Sequence, residues 1–119
     1  MGQLTTHVLD TAHGCPAAYL ALELWQCDRP SGAKTLLLQT QTNADGRTDV
    51  PLLTTDTVQV GLYELWFEVG AYFRQRTLDL PEPPFLERVP ILFGIADATQ
   101  HYHVPLLVSP WSYSTYRGS

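Results

Sequence analysis

Cysteine is nearly absent from this chain of 119 residues: Cys15 and Cys27 are the only two. They lack the C-x-x-C spacing of metal ribbons and dithiol redox sites, so the expectation is a pair of reduced thiols. Charge is scarce as well. Charged residues make up 16% of the sequence, against about 25% in an ordinary globular domain, which implies that another subunit covers part of the surface. Acidic residues outnumber basic ones, the net charge is −5, and there is no basic run or arginine stripe. Nucleic acid is therefore not an expected partner. No apolar stretch approaches the roughly 18 residues that cross a bilayer, and the chain does not open with a basic region followed by an apolar run. The expectation is a cytoplasmic protein with no membrane association. A Gly-rich phosphate loop, a G-x-S-x-G elbow and a paired-carboxylate signature are also missing. Any catalysis must rest on histidine, arginine, tyrosine or a hydroxyl.

What the sequence does contain is short alternating segments separated by turn residues. Hydrophobic residues account for 45% of it, enough for a buried core in one domain spanning residues 1–119. Period-two alternation predicts strands over 4–10, 18–27, 34–42, 61–69, 88–95, 101–108 and 111–116. In the first, Leu4, Thr6 and Val8 share one face, and Thr5, His7 and Leu9 the other. The run Asn43-Ala44-Asp45-Gly46 is a strong hairpin signal and predicts a further short strand beginning at Arg47. One helix of about two turns is expected over 71–77. Some eight strands at spacings of about ten residues describe an all-β fold, an antiparallel β-sandwich.

The residues able to carry chemistry are few. In the strand over 101–108, Tyr102, Val104 and Leu106 fill the core, and His101, His103, Pro105 and Leu107 point outward. Apolar residues and histidines together on an outer face suggest subunit contact rather than bulk water. Two histidines spaced by one residue also present both rings to one side, a metal-binding arrangement, but a third ligand is not evident; His13 is the available candidate. His7 stands mid-strand, where a histidine is either packed or catalytic. Arg47 follows a tight glycine turn that would aim its guanidinium. Taken alone, these residues leave enzyme and binding module open.

The ending "HYHVPLLVSPWSYSTYRGS" carries three tyrosines, a tryptophan, two histidines and an arginine. It closely resembles the end of the 5-hydroxyisourate hydrolases, also called transthyretin-related proteins, whose hallmark is a terminal Tyr-Arg-Gly-Ser, here Tyr116 to Ser119. "LTTHVLDTAHGCPA" is similar to that family's N-terminal motif and "TNADGRTDVPLL" to its central Asp-Gly-Arg motif. "YELWFEVGAYF" and "FLERVPILFGI" also look familial, so the likeness covers essentially the whole chain. It implies a transthyretin-like sandwich of two four-stranded sheets with one short helix. It also implies a homotetramer, a dimer of dimers, with active sites where dimers face each other. The implied reaction is hydrolysis of 5-hydroxyisourate to 2-oxo-4-hydroxy-4-carboxy-5-ureidoimidazoline in urate catabolism, without cofactor or metal. Matching motif to motif, the resemblance assigns His7, Arg47 and His103 to catalysis. His7, Arg47, Tyr116, Arg117 and Ser119 are assigned to substrate binding, Ser119 through its hydroxyl or its carboxylate. The alternatives are a transthyretin-like carrier of a flat ligand, against which the Tyr-Arg-Gly-Ser ending speaks, and a zinc-dependent hydrolase built on His101 and His103.

Overall fold

In the computed structural model, which describes residues 1–76 and 79–119, the alternating segments become eight strands and one helix. In chain order these are β1 (Gln3–Asp10), β2 (Cys15–Pro16), β3 (Ala21–Cys27), β4 (Lys34–Gln41), β5 (Gly61–Phe67), α1 (Val69–Arg74), β6 (Val89–Ile95), β7 (His101–Val108) and β8 (Tyr113–Thr115). They form two four-stranded sheets, β2-β1-β7-β8 and β4-β3-β5-β6. The inward residues of the two sheets are the expected ones: Leu4 and Val8 of β1, Leu22 and Leu24 of β3, Tyr63, Leu65 and Phe67 of β5, and Val104 and Leu106 of β7 are all buried. Alternation at period two lets each strand bury one row and leave the other for chemistry.

Three details depart from the sequence-based expectation. First, the central pair of one sheet, β1 and β7, runs parallel, with Thr5 beside His103 and His7 beside Pro105. Parallel neighbours need a long connection, and here the whole second sheet lies between them in sequence. Second, no strand begins at Arg47. After β4 the chain crosses to the other sheet and touches β1 only at isolated bridges, His7–Arg47 and Leu4–Leu53. The eighth strand is instead the two-residue β2, which pairs Leu9 with Pro16 and Asp10 with Cys15. Third, the helix begins at Val69, two residues before the expected start, and turns Tyr72 and Phe73 into the core. The expected last residue, Thr77, lies outside the described residues.

The crossing segment is seated by Gly46. Its φ is +75°, a value L side chains rarely adopt, and a Cβ there would collide with the Val8 carbonyl oxygen. With no side chain in the way, the Gly46 carbonyl accepts a hydrogen bond from Val8 N–H at 2.8 Å. Gly46→Ala combines a left-handed backbone with a clash against a carbonyl. It is expected to lose about 1–3 kcal/mol of stability, read as a thermal midpoint several degrees lower. An unchanged midpoint would show that the turn is not held as described.

The far end of β1 is anchored by a buried carboxylate. Asp10 is 1% exposed. It accepts from the Ala12 and His13 backbone N–H groups at 3.0 Å, from His13 Nδ1–H at 2.7 Å and from the Tyr72 hydroxyl at 2.8 Å. A buried carboxylate with every lone pair engaged holds its surroundings rigid. Burial, then the bond to Asp10, pushes the Tyr72 phenol well above its ordinary value.

Candidate active site

Because β1 and β7 are parallel and in register, their outward rows lie side by side. Thr5 and His7 come from β1, and His101, His103 and Pro105 from β7. Adjacent strands are about 4.8 Å apart, so residues paired across them touch. The Thr5 hydroxyl lies 2.8 Å from His103 Nδ1 and 2.8 Å from His101 Nε2. His7 Nε2 donates to the Asp45 carbonyl at 3.0 Å, which commits that nitrogen to its proton and leaves Nδ1 as the acceptor of the neutral ring.

Arg47 arrives from the turn. Its backbone bridges His7, its N–H donates to Asn43 Oδ1 at 3.2 Å, and its carbonyl accepts from Asn43 N–H at 2.6 Å. The chain is thus clamped on both sides of the residue. The guanidinium itself is exposed. Arg74 and Arg88 are spent on glutamates, while no carboxylate pairs with Arg47 among the described residues.

The C-terminal segment reaches this face through a gap in a β-ladder. β8 pairs with β7 from Val108–Tyr113 to Leu106–Thr115. Pro105 then has no N–H to offer. Its carbonyl accepts from the Thr115 hydroxyl at 2.7 Å instead. The ladder resumes in the same register at His103–Gly118, where Gly118 N–H donates to the His103 carbonyl at 2.8 Å. A side chain at Gly118 would collide with the His103 ring, its Cβ meeting Cδ2 at 2.5 Å. Glycine is what lets the backbone lie flat against the imidazole.

These elements enclose a cavity of about 480 Å³ whose wall includes Thr5, Arg47, Asp49, His101, His103 and Ser119. The imidazoles around it are tuned downward. Burial first, then the Arg47 guanidinium, holds His7 below its ordinary value of 6.5, against a smaller upward pull from Asp45. Burial, then Arg47, then the His101 and His7 rings, lowers His103 in the same way. Both rings are thereby biased toward the neutral form, with a lone pair able to accept a proton, beside a cation able to hold an anion.

Of the residues assigned from sequence, Arg47, His103 and Ser119 share the cavity, and His7 adjoins it through its bridge to Arg47. Tyr116 and Arg117 do not line it in their own protomer. Both face a second cavity of about 350 Å³ with Ile91, Phe93 and Tyr102. The Arg117 guanidinium stacks 4.1 Å over the Tyr102 ring and donates to Gln100 Oε1 at 2.8 Å. The register sets Arg117 opposite Val104, on the side of the sheet that carries Tyr102, and Arg117 itself stays exposed. His13 is bonded to Asp10 at the far end of β1 and so does not join His101 and His103. Two contributors escaped the sequence reading. Thr5 gave no signal at all, since its partners are nearly a hundred residues away. Gly118 was visible only as part of a motif. Gly118→Ala is expected to push the imidazole aside and lower kcat/KM by roughly tenfold or more while leaving the thermal midpoint nearly unchanged. Parent-like kinetics would show that the ring is not held by this contact.

The chain is similar to known proteins over its whole length. A curated 5-hydroxyisourate hydrolase from Pseudomonas aeruginosa is 53% identical over 119 residues, covering 100% of this chain and 93% of that one. A crystal structure of (S)-allantoin synthase matches with a TM-score of 0.90 and 45% identity, covering 99% of this chain but only 44% of that longer one. Sea bream transthyretin in complex with thyroxine matches with a TM-score of 0.86 and 29% identity, over 98% of this chain and 94% of that one. The model of the HIUase/Transthyretin family matches residues 4–118, and the chain belongs to that family.

Proposed function

We propose that this protein hydrolyses 5-hydroxyisourate to 2-oxo-4-hydroxy-4-carboxy-5-ureidoimidazoline, with residues 1–119 acting as one domain. The observation that carries the reading is the pairing of two imidazoles of lowered basicity with an unpaired guanidinium at one polar cavity. The relative from Pseudomonas aeruginosa, named for this reaction, supports it at 53% identity over the full chain.

The substrate is a flat heterocycle rich in carbonyl oxygens and N–H groups. Its hydrolysis needs a water poised over an electrophilic ring carbonyl, a base for the water's proton, and a counter-charge for the oxyanion. A neutral imidazole, His103 or His7, takes the proton as the water oxygen bonds to carbon. The Arg47 fork faces the carbonyl oxygen as it becomes anionic. Collapse of the tetrahedral species expels the ring nitrogen, which recovers a proton from the imidazolium. Ser119 adds a polar group to the same cavity wall. Arg117, engaged on Tyr102 and Gln100, serves by pinning Gly118 and Ser119 in register. Tyr116, 59% exposed, comes to the substrate from an abutting copy in a homotetramer.

Among the described residues no helix is long and apolar enough to cross a membrane, and a cytoplasmic setting for urate catabolism completes the reading. The test is ultraviolet absorbance of freshly generated 5-hydroxyisourate with and without the purified protein. Decay faster than the spontaneous rate is expected. Decay at the spontaneous rate would replace the hydrolase with a carrier.

A further inference from the structure

The Thr5 hydroxyl sits between two histidines and owns one proton. It lies 2.8 Å from both His101 Nε2 and His103 Nδ1, so its one proton can go to only one of the two rings. Two arrangements have the hydroxyl donating to a ring; a third, in which it accepts from both, also leaves His103 as Nδ1–H. In one, Thr5 donates to His103, whose Nε2 then carries the proton and cannot act as a base. In the other, Thr5 donates to His101 and accepts from His103 Nδ1–H, leaving a lone pair on His103 Nε2.

Electrostatics chooses between them. The titratable or charged groups around His103 are His7 from β1, Arg47 and Asp49 from the crossing segment, His101 from its own strand and the carboxylate of Ser119 in the cavity wall. Among the groups that lower His103, Arg47 acts more strongly than the His101 and His7 rings. Thr5 occupies Nδ1, so Nε2 is the ring nitrogen left to the cavity that Arg47 also lines, and there a cation favours a lone pair over an N–H. His101 is exposed, so water satisfies either of its tautomers and it yields to the choice made at His103.

We propose that Thr5 is a positioning residue: by donating to His101 and accepting from His103 Nδ1–H, it sets the tautomer that makes His103 Nε2 the proton-accepting atom. This assigns His101 its part, as the acceptor that keeps the Thr5 proton turned away from His103. It also distinguishes His103 from His7, because His7 is fixed in the opposite sense, with its proton on Nε2 facing the Asp45 carbonyl. When His103 Nε2 takes a proton, the Nδ1–H bond to Thr5 is already in place, so nothing reorganises as the charge forms.

The inference rests on the hydrolase reading for its kinetic arm only. The decisive measurement is long-range ¹H–¹⁵N NMR correlation of the histidine rings in the uniformly labelled protein without substrate, in the parent, Thr5→Val, Thr5→Ser and His101→Leu. The parent and Thr5→Ser are expected to show His103 as Nδ1–H. Thr5→Val keeps shape but loses the hydroxyl. His101→Leu removes the acceptor at an exposed position where folding is not at risk. Both are expected to show a mixed or Nε2–H tautomer. With 5-hydroxyisourate, Thr5→Val is expected to lose roughly tenfold in kcat with KM within about twofold, and Thr5→Ser to recover most of it. A mis-set tautomer costs a serine hydrolase far more, but here burial and Gly118 still hold the ring. A parent His103 found as Nε2–H would overturn the proposal, as would a His103 tautomer unaltered in both Thr5→Val and His101→Leu. If the parent fails to accelerate substrate decay, the hydrolase reading falls while the tautomer result still decides this one.

Discussion

Replacing His103 by alanine is expected to lower kcat for 5-hydroxyisourate by roughly a hundredfold or more, the usual cost of removing an acid–base group. The melting midpoint should change little, because His103 stands on the outward row of β7 and takes no part in the buried cluster. His7→Ala is expected to act in the same direction. If the two rings serve one water, the double variant loses much less than the product of the single losses. Full activity in His103→Ala would remove it from the mechanism.

The pH dependence has a definite sign. A base must be unprotonated to work, and both rings are held below 6.5, so the acid limb of kcat/KM should fall at a pH below 6.5. Stability follows the same linkage. Below 6.5 the unfolded chain binds protons on these histidines before the folded one does, so lowering the pH through this window destabilises the fold. The thermal midpoint should fall as pH drops below 6.5, and more steeply in the parent than in a variant lacking both rings. An acid limb centred above 6.5 would contradict the burial and charge described at the cavity.

How much of this was legible beforehand varies residue by residue. The core rows of β1, β5 and β7 follow from alternation, because burying every second side chain leaves a period of two. The direction of a strand leaves no such trace, so the parallel pairing of β1 with β7 was invisible, and with it the contact between Thr5 and His103. The signal at Asn43 to Gly46 was real but its consequence was misread. The turn is tight and Gly46 takes a positive φ, yet the chain leaves its sheet and docks on β1 instead of folding back as a strand. A turn motif specifies local dihedral angles; it says nothing about which edge the next residues will meet. Motif matching brought Tyr116 and Arg117 into the candidate site. The ladder gap at Pro105 shows why adjacent residues there go separate ways. Gly118 and Ser119 reach the histidine face, whereas Arg117 stacks on Tyr102.

The second large effect belongs to Arg47. Arg47→Ala is expected to lower kcat by about a hundredfold to a thousandfold, the range seen when a preorganised donor to an oxyanion is removed. The reason is geometric as well as electrostatic. The Asn43 clamp and the bridge to His7 hold the backbone of Arg47, so only its side chain remains to be ordered as charge develops. Arg47→Lys keeps the charge but not the planar fork, and should recover only part of the loss. A second readout separates this role from simple substrate binding. Arg47 is among the causes that hold both His7 and His103 low, so its removal lets both rise toward 6.5 and moves the acid limb of kcat/KM upward. Loss of kcat together with an upward shift of that limb is the expected pair of results. A rise in KM alone, with kcat and the acid limb unmoved, would reduce Arg47 to a docking contact and leave the oxyanion to some other group in the cavity.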